Sequence, residues 1–168
     1  MIIREQEGFV LQILLLLSMQ VQRLILKLHQ QMQAQVEQWE AFLNGDSLKQ
    51  QLMARYIYEH LYITHLYFAE DSHTRPAFFK LVRSRTPSGQ PIDEISTRRP
   101  YDNPGVERVY YRLAPERESI VVKTHIPYRL DKARAERWTR WFLADDIQVD
   151  SLPSYEPKVA GNPFVAYL

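Results

Sequence analysis

Side chains that can transfer protons or bind metals are concentrated between Arg55 and Phe68, a segment that contains Glu59, His60 and His65. Histidine and glutamate act as general acids and bases near neutral pH. The two histidines are five residues apart, which is roughly 140° round a helix, so they cannot bind one metal ion as an i, i+4 pair does. No metal site is predicted, and Glu59, His60 and His65 are the candidate catalytic residues.

The same segment is rich in tyrosine. Tyr58 and Tyr62 are one helical turn apart and His65 follows three residues later, so a continuous helix would place all three on one face. Two interpretations remain open for that face. It can be a buried aromatic surface whose polar tips find hydrogen-bond partners, or it can face a substrate or cofactor.

A second group of candidates consists of four arginines around a proline-rich loop, and their guanidinium groups have the geometry to bind carboxylates and phosphates. The head group of a fatty acid or phospholipid would suit them. Alternatively, they pair with acidic residues of the same region (Asp93, Glu94, Asp102, Glu107). His125, before a proline turn, is a further candidate. The candidate substrate-binding residues are Arg83, Arg85, Arg98, Arg99, Tyr58, Tyr62 and His125.

Composition excludes several classes of site. The 168 residues contain no cysteine, so the chain has no disulfide, no thiolate zinc site, no cysteine nucleophile and no Cys-x-x-Cys-His motif for attaching haem. The net charge of +1 gives no reason, at the level of the whole chain, to expect nucleic acid or an anionic membrane as a partner. No glycine-rich phosphate loop and no Gly-x-Ser-x-Gly motif is present.

The N-terminal part of the chain predicts a long helix. From Leu11 to Phe42, residues at alternating intervals of three and four form a heptad stripe in which eight of ten positions are apolar. The stripe packs on its own domain or binds a helical partner. The most apolar run, Phe9 to Leu17, is nine residues long, against about 20 needed to span a bilayer. Glu5 and Glu7 do not suit a signal peptide.

The remaining elements predict an α+β fold. Asn44-Gly45 predicts a helix end, and a capping box at Ser47–Gln50 opens a second helix, predicted to reach Phe68 and to form a hairpin with the first. All ten prolines come after residue 75. The later predictions are a strand or short helix at 78–85, a long irregular loop at 86–105 and an antiparallel hairpin of strands 108–113 and 119–124, which together give a small antiparallel sheet with a long proline-rich loop. A helix from Asp131 to Leu143 and an extended acidic tail follow.

Several of these blocks resemble the fatty acid cis/trans isomerase family. The longest are FLNGDSLKQQLMARYIYEHL at 42–61, LVRSRTPSGQPIDEI at 81–95 and TRRPYDNPGV at 97–106. Shorter ones are HLYF at 65–68, VYYRL at 109–113, KTH at 123–125, VDSLP at 149–153 and NPFV at 162–165. The resemblance covers roughly residues 33–168. Residues 1–32 are interpreted as an apolar helical extension outside it.

The resemblance implies a bacterial periplasmic enzyme that contains haem c and converts cis double bonds of membrane unsaturated fatty acids to trans, as part of a stress response. Family members are longer and carry Cys-x-x-Cys-His upstream of this region. The chain is therefore expected to be an internal segment, inactive without the haem-bearing part. The implied partners are membrane fatty acids or phospholipids, and the remainder of the enzyme or a helical partner. The alternative function is a truncated, non-catalytic helical interaction module that acts through the 11–42 stripe.

Overall fold

The computed structural model describes residues 2–68, 77–116, 126–146 and 148–167, with side chains from Leu15 onward. It confirms the predicted α+β class. The chain divides into two units, 1–36 and 37–168. In chain order the elements are α1 (Ile2–Leu43), α2 (Leu48–Leu61), β1 (His65–Phe68), β2 (Phe79–Ser84), β3 (Tyr110–Pro115), β4 (Pro127–Leu130), α3 (Lys132–Phe142), α4 (Pro157–Ala160) and α5 (Pro163–Ala166).

The first unit is the part of α1 that ends at Val36. Its large apolar side chains between Leu15 and Leu28 are exposed, including the heptad positions Val21 and Ile25. Among the described residues, no helix combines the length and the apolar character that crossing a bilayer requires. The unit is thus a single helix with a long exposed apolar surface.

The last two positions of the heptad stripe belong to the core of the second unit. The rings of Trp39 and Phe42 contact Trp138 of α3, with centroids 5.7 Å and 6.3 Å away. Trp39 and Trp138 are both buried. The interpretation that the stripe packs on its own domain therefore holds at this end of α1, where bulky aromatic rings supply much of the buried area.

The second helix begins as predicted and ends earlier than predicted. Ser47 and Gln50 form both hydrogen bonds of the capping box. The helix ends at Leu61, whose carbonyl accepts a hydrogen bond from the Thr64 hydroxyl, and His65–Phe68 is strand β1 instead of helix. The prediction of a helix up to Phe68 was wrong because His65–Phe68 pairs with two other strands, and aromatic residues such as Tyr67 and Phe68 pack well on a sheet.

Within the described residues, the sheet has four strands in the order β3-β2-β1-β4. The segment 78–85 forms a strand, β2, which pairs antiparallel with β1 and β3. β4 instead runs parallel to β1, so the prediction of a wholly antiparallel sheet was wrong. The parallel pair is possible because the chain returns to β1 only after a long crossover. The predicted strand at 119–124 lies outside the described residues.

The connecting segments agree with the sequence in most respects. Between β2 and β3 the chain is irregular, with one isolated bridge from Ser84 to Glu94. Asp131 caps α3 as predicted, accepting a hydrogen bond from the backbone of Arg134 at 2.7 Å. The tail is not wholly extended, because Pro157 and Pro163 each open a single helical turn, a position for which proline is preorganised.

Candidate functional site

The first half of the proline-rich loop, which spans residues 86–105, is wrapped round a buried ion pair. The carboxylate of Glu40 on α1 accepts hydrogen bonds from Arg112 Nε at 2.8 Å, from the Ser88 hydroxyl at 2.6 Å and from the backbone of Leu113 at 2.9 Å. The other guanidinium nitrogens of Arg112 donate to carbonyl groups of the loop, those of Thr86, Pro87 and Gln90. This pair therefore fixes the loop against the sheet.

The second half of the loop is fixed by another buried arginine, Arg83 on β2. Its terminal nitrogens donate to the Asp102 carbonyl at 2.8 Å and to the Thr97 hydroxyl. Thr97 in turn donates to the Arg99 carbonyl at 2.7 Å, and Asp102 accepts the Arg99 N–H at 2.9 Å. Arg83 thus holds the turn that carries Arg98 and Arg99.

The C-terminal tail is held on α2 by Arg55 and Glu59. Arg55 donates to Glu59 at 2.8 Å and to the Pro153 carbonyl at 2.6 Å, and its guanidinium lies over the Tyr155 ring, 3.9 Å from the centroid. Glu59 also accepts a 2.7 Å hydrogen bond from the Tyr167 hydroxyl. Both carboxylate oxygens of Glu59 are therefore occupied by contacts that attach the tail.

The segments that Arg83, Arg55 and Glu59 hold in place form the walls of a cleft of about 410 Å³. This size is within the range of small-molecule sites. The end of α2, the turn at Arg98–Tyr101 and the two short C-terminal helices each supply one wall. Gly161 allows the close packing of the third wall, because a Cβ there would lie 2.8 Å from the Pro157 carbonyl oxygen. The lining residues are Glu59, His60, Tyr62, Arg98, Arg99, Pro100, Tyr101, Ala160, Gly161, Pro163 and Tyr167. We call it the arginine cleft.

His60 is held in one orientation at the cleft. Its Nδ1 lies 2.7 Å from the Tyr56 carbonyl oxygen, which can only accept, so Nδ1 carries the proton and Nε2 is an acceptor when the ring is neutral. The imidazole also stacks on Tyr56, with centroids 4.0 Å apart. The Nε2 atom of His60 is thus available to a ligand as a base or as a metal ligand.

The charge of the arginine cleft is positive. Glu59 is compensated by Arg55, whereas Arg98 and Arg99 are exposed and form no ion pair with any carboxylate that the structure describes. Burial, and then the hydrogen bond and charge of Glu59, raise the pKa of Tyr167 well above its ordinary value, so its hydroxyl stays a neutral donor. The cleft therefore suits an anionic group.

A neighbouring depression of about 430 Å³ differs in charge. It is lined by Tyr101–Asn103 and Ser154–Pro157, so its acidic side chains are the carboxylates of Asp102 and Glu156. Tyr101 borders both spaces. Because like charges repel, an anion is directed to the arginine cleft and away from this depression.

The structure brings together five of the predicted site residues, Glu59, His60, Tyr62, Arg98 and Arg99. Arg85 instead pairs with Asp93 at 3.1 Å, as the alternative interpretation of the arginines proposed. Arg83 and Tyr58 are buried behind the cleft residues, with the guanidinium 5.2 Å from the Tyr58 ring.

His65 lies on β1, away from the face shared by Tyr58 and Tyr62. Its Nε2 is 3.9 Å from a carboxylate oxygen of Glu116, which also pairs with Lys80 at 2.6 Å. The expectation that His65 shares a helical face with the two tyrosines was wrong, because the helix ends at Leu61. His125 lies outside the described residues.

Sequence reasoning missed Arg55, Tyr155 and Tyr167 as parts of the site. Their contacts join residues about a hundred positions apart in the chain, and no periodic pattern links segments so distant. The available signal was the tyrosine content of the last fourteen residues, which an extended acidic tail does not need.

Haem c is the cofactor that the resemblance to the isomerase family implies. Covalent attachment needs two cysteine thiols, and the chain contains none. Among the residues that the structure describes, no group of three or more His, Asp or Glu side chains can hold a metal ion. These residues therefore do not fit a covalently attached haem.

Comparison with known proteins identifies the chain. No curated protein and no solved structure matches it. A family model described as fatty acid cis/trans isomerase (CTI) matches residues 12–168, which include every residue of the arginine cleft. The match covers nearly the whole sequence, and the chain belongs to the fatty acid cis/trans isomerase family.

Proposed function

We propose that this chain is the segment of a fatty acid cis/trans isomerase that binds the acidic head of an unsaturated acyl chain, in the arginine cleft. The observation that carries the proposal is the pair of exposed arginines, Arg98 and Arg99, with no carboxylate partner among the described residues, at a cleft of about 410 Å³. Guanidinium groups bind carboxylates and phosphates through paired hydrogen bonds.

The other walls of the cleft suit the acyl chain that follows the head group. Tyr62, Tyr101 and Pro163 present apolar surface beside the arginines. Ligand sites commonly combine such apolar walls with a few polar groups that fix orientation. His60 Nε2 lies at the same cleft and can accept a hydrogen bond from a protonated head group.

Haem is assigned to a different part of the enzyme, because this chain has no cysteine to attach it. The family's proposed chemistry withdraws electron density from the double bond so that it can rotate. We infer that the isolated chain binds acyl groups and does not isomerise them, and that the enzyme acts on membrane lipids in the periplasm.

The proposal predicts charge-dependent binding by the purified chain. Calorimetric titration with cis-9-hexadecenoic acid should give saturable binding, and the matching primary alcohol, which lacks the charge, should bind at least about tenfold more weakly. The double substitution Arg98→Gln/Arg99→Gln removes both guanidinium groups that bind the carboxylate. It should weaken binding of the acid by about tenfold or more per arginine, since hydrogen bonds to charged groups contribute about 1.5–3 kcal/mol each.

The control is Arg85→Gln/Arg140→Gln, which removes the same charge from two exposed arginines outside the cleft. It should bind the acid like the unmodified chain. Because exposed leucines of α1 can bind acyl chains without regard to charge, the difference between acid and alcohol is the informative quantity. Equal binding of the acid by the cleft variant and the unmodified chain would refute the proposal.

A further inference from the structure

Four exposed apolar side chains stand beside the arginine cleft: Tyr62 and Ile63 in the turn after α2, and Phe164 and Val165 on α5. Their exposed fractions are 42%, 56%, 76% and 55%. Tyr62 and Pro163 line the cleft itself, so Ile63 and Phe164 are the next residues along the chain from its walls. We call these four residues the apolar rim.

The rim is held outward by the surrounding fold. On one side, Ala166 is buried and the Tyr167 hydroxyl is bound by Glu59 at 2.7 Å, which fixes α5. The Phe164 N–H is bound by the Asn162 side chain at 3.1 Å. On the other side, Thr64 is buried and hydrogen-bonded to Leu61. Both pairs of rim residues are therefore fixed in exposed positions.

Exposed apolar side chains next to the walls of a cleft mark a binding surface. The residues beside the apolar rim indicate which partner this surface binds. Arg98 and Arg99 are exposed at the same cleft, and Lys158 is exposed on α4. Aromatic and aliphatic side chains flanked by basic groups have the composition of surfaces that bind the head-group region of anionic membranes.

We propose that the apolar rim inserts into the interface of an anionic lipid bilayer, with Arg98, Arg99 and Lys158 against the lipid phosphates. Docked in this way, the cleft opens toward the layer in which acyl chains lie. The inference rests on the proposed function only in one respect, namely that a lipid of the bilayer then enters the arginine cleft. Insertion of the rim is a separate property and can be measured separately.

The absence of cysteine from the chain allows a site-specific test. A thiol-reactive, environment-sensitive fluorophore is attached to the full chain through Val165→Cys. The control carries the same label through Trp141→Cys on α3, a site of similar exposure outside the rim. Both proteins are mixed with vesicles of phosphatidylglycerol or phosphatidylcholine that contain a lipid-attached quencher.

The rim label should shift its emission to shorter wavelength and be quenched on phosphatidylglycerol vesicles, and less so on phosphatidylcholine. The α3 label should do neither. An unchanged rim label on a chain that sediments with the vesicles would overturn the inference, since another surface would then bind lipid. A shift that grows with protein concentration without vesicles would also overturn it, because a second copy would cover the rim.

Phe164→Gln separates this inference from the proposed function. The variant should lose quenching of the rim label and still bind soluble cis-9-hexadecenoic acid, because Phe164 does not line the cleft. Failure of the unmodified chain to bind the acid, with the rim label still inserted, would refute head-group binding and leave the docking surface standing.

Discussion

Glu40→Ala should lower the free energy of unfolding by about 3–5 kcal/mol, the usual effect of breaking a buried ion pair. Glu40 is 1% exposed and Arg112 is 7% exposed. Without the carboxylate, the buried Arg112 guanidinium loses its counter-ion, and the Leu113 N–H and the Ser88 hydroxyl lose their acceptor. Because domains are stable by about 5–15 kcal/mol, the variant should be at the margin of folding.

Urea denaturation measures this effect against two further variants. Glu37→Ala removes an exposed carboxylate from the same helix, and should change stability by less than about 1 kcal/mol. Glu40→Met/Arg112→Met replaces both charges with apolar side chains and should recover much of the loss, since an apolar pair can replace a buried ion pair. If Glu40→Ala were as stable as Glu37→Ala, the ion pair would not support the loop.

Arg55→Met should release the C-terminal tail from α2 and open one wall of the arginine cleft. Arg55 is buried beside Glu59. Burial acts to lower its pKa, but the hydrogen bond with Glu59 and the charges around it raise the pKa above its usual value. The variant leaves Glu59 without its cation and the Pro153 carbonyl without its donor, a change expected to destabilise the protein by about 3–5 kcal/mol.

Hydrogen exchange followed by mass spectrometry locates the effect. Amides of residues 153–167 should exchange much faster in Arg55→Met, while β2 and β3 stay protected. Arg55→Lys should be intermediate, since lysine keeps the charge and loses the planar fork that reaches several acceptors. Arg140→Met, at an exposed site, is the control and should exchange normally. Unaltered exchange in the tail of Arg55→Met would show that other contacts hold it.

Local signals in the sequence were sufficient for several elements of the fold. The capping box at Ser47 and Gln50 and the cap at Asp131 depend on residues three positions apart, and both were predicted. The end of α2 was missed because the tyrosines of the segment also fit a helical period. Only pairing of His65–Phe68 with two other strands selects the extended form.

Local signals in the sequence also predicted part of the candidate site. Arg98 and Arg99 stand out as basic residues in a loop. Glu59 and His60 stand out as residues that can transfer protons, and Tyr62 follows from its one-turn spacing from Tyr58. The contacts that shape the cleft, in contrast, could not be predicted from local signals. Arg83, Arg55 and Glu59 are charged residues that are buried, contrary to the usual preference of such side chains, and their partners come from distant segments.

Photochemical crosslinking shows directly where the chain binds a fatty acid. The full chain is incubated with a cis-unsaturated fatty acid that carries a photoreactive group near its carboxylate, then irradiated, digested and analysed by mass spectrometry. We expect crosslinks in peptides that contain residues 59–62, 98–101 and 160–167, the walls of the arginine cleft. The same peptides should lose their crosslinks when the arginines are replaced in Arg98→Gln/Arg99→Gln. Crosslinks confined to α1 or α3, unchanged by that variant, would contradict binding in the arginine cleft.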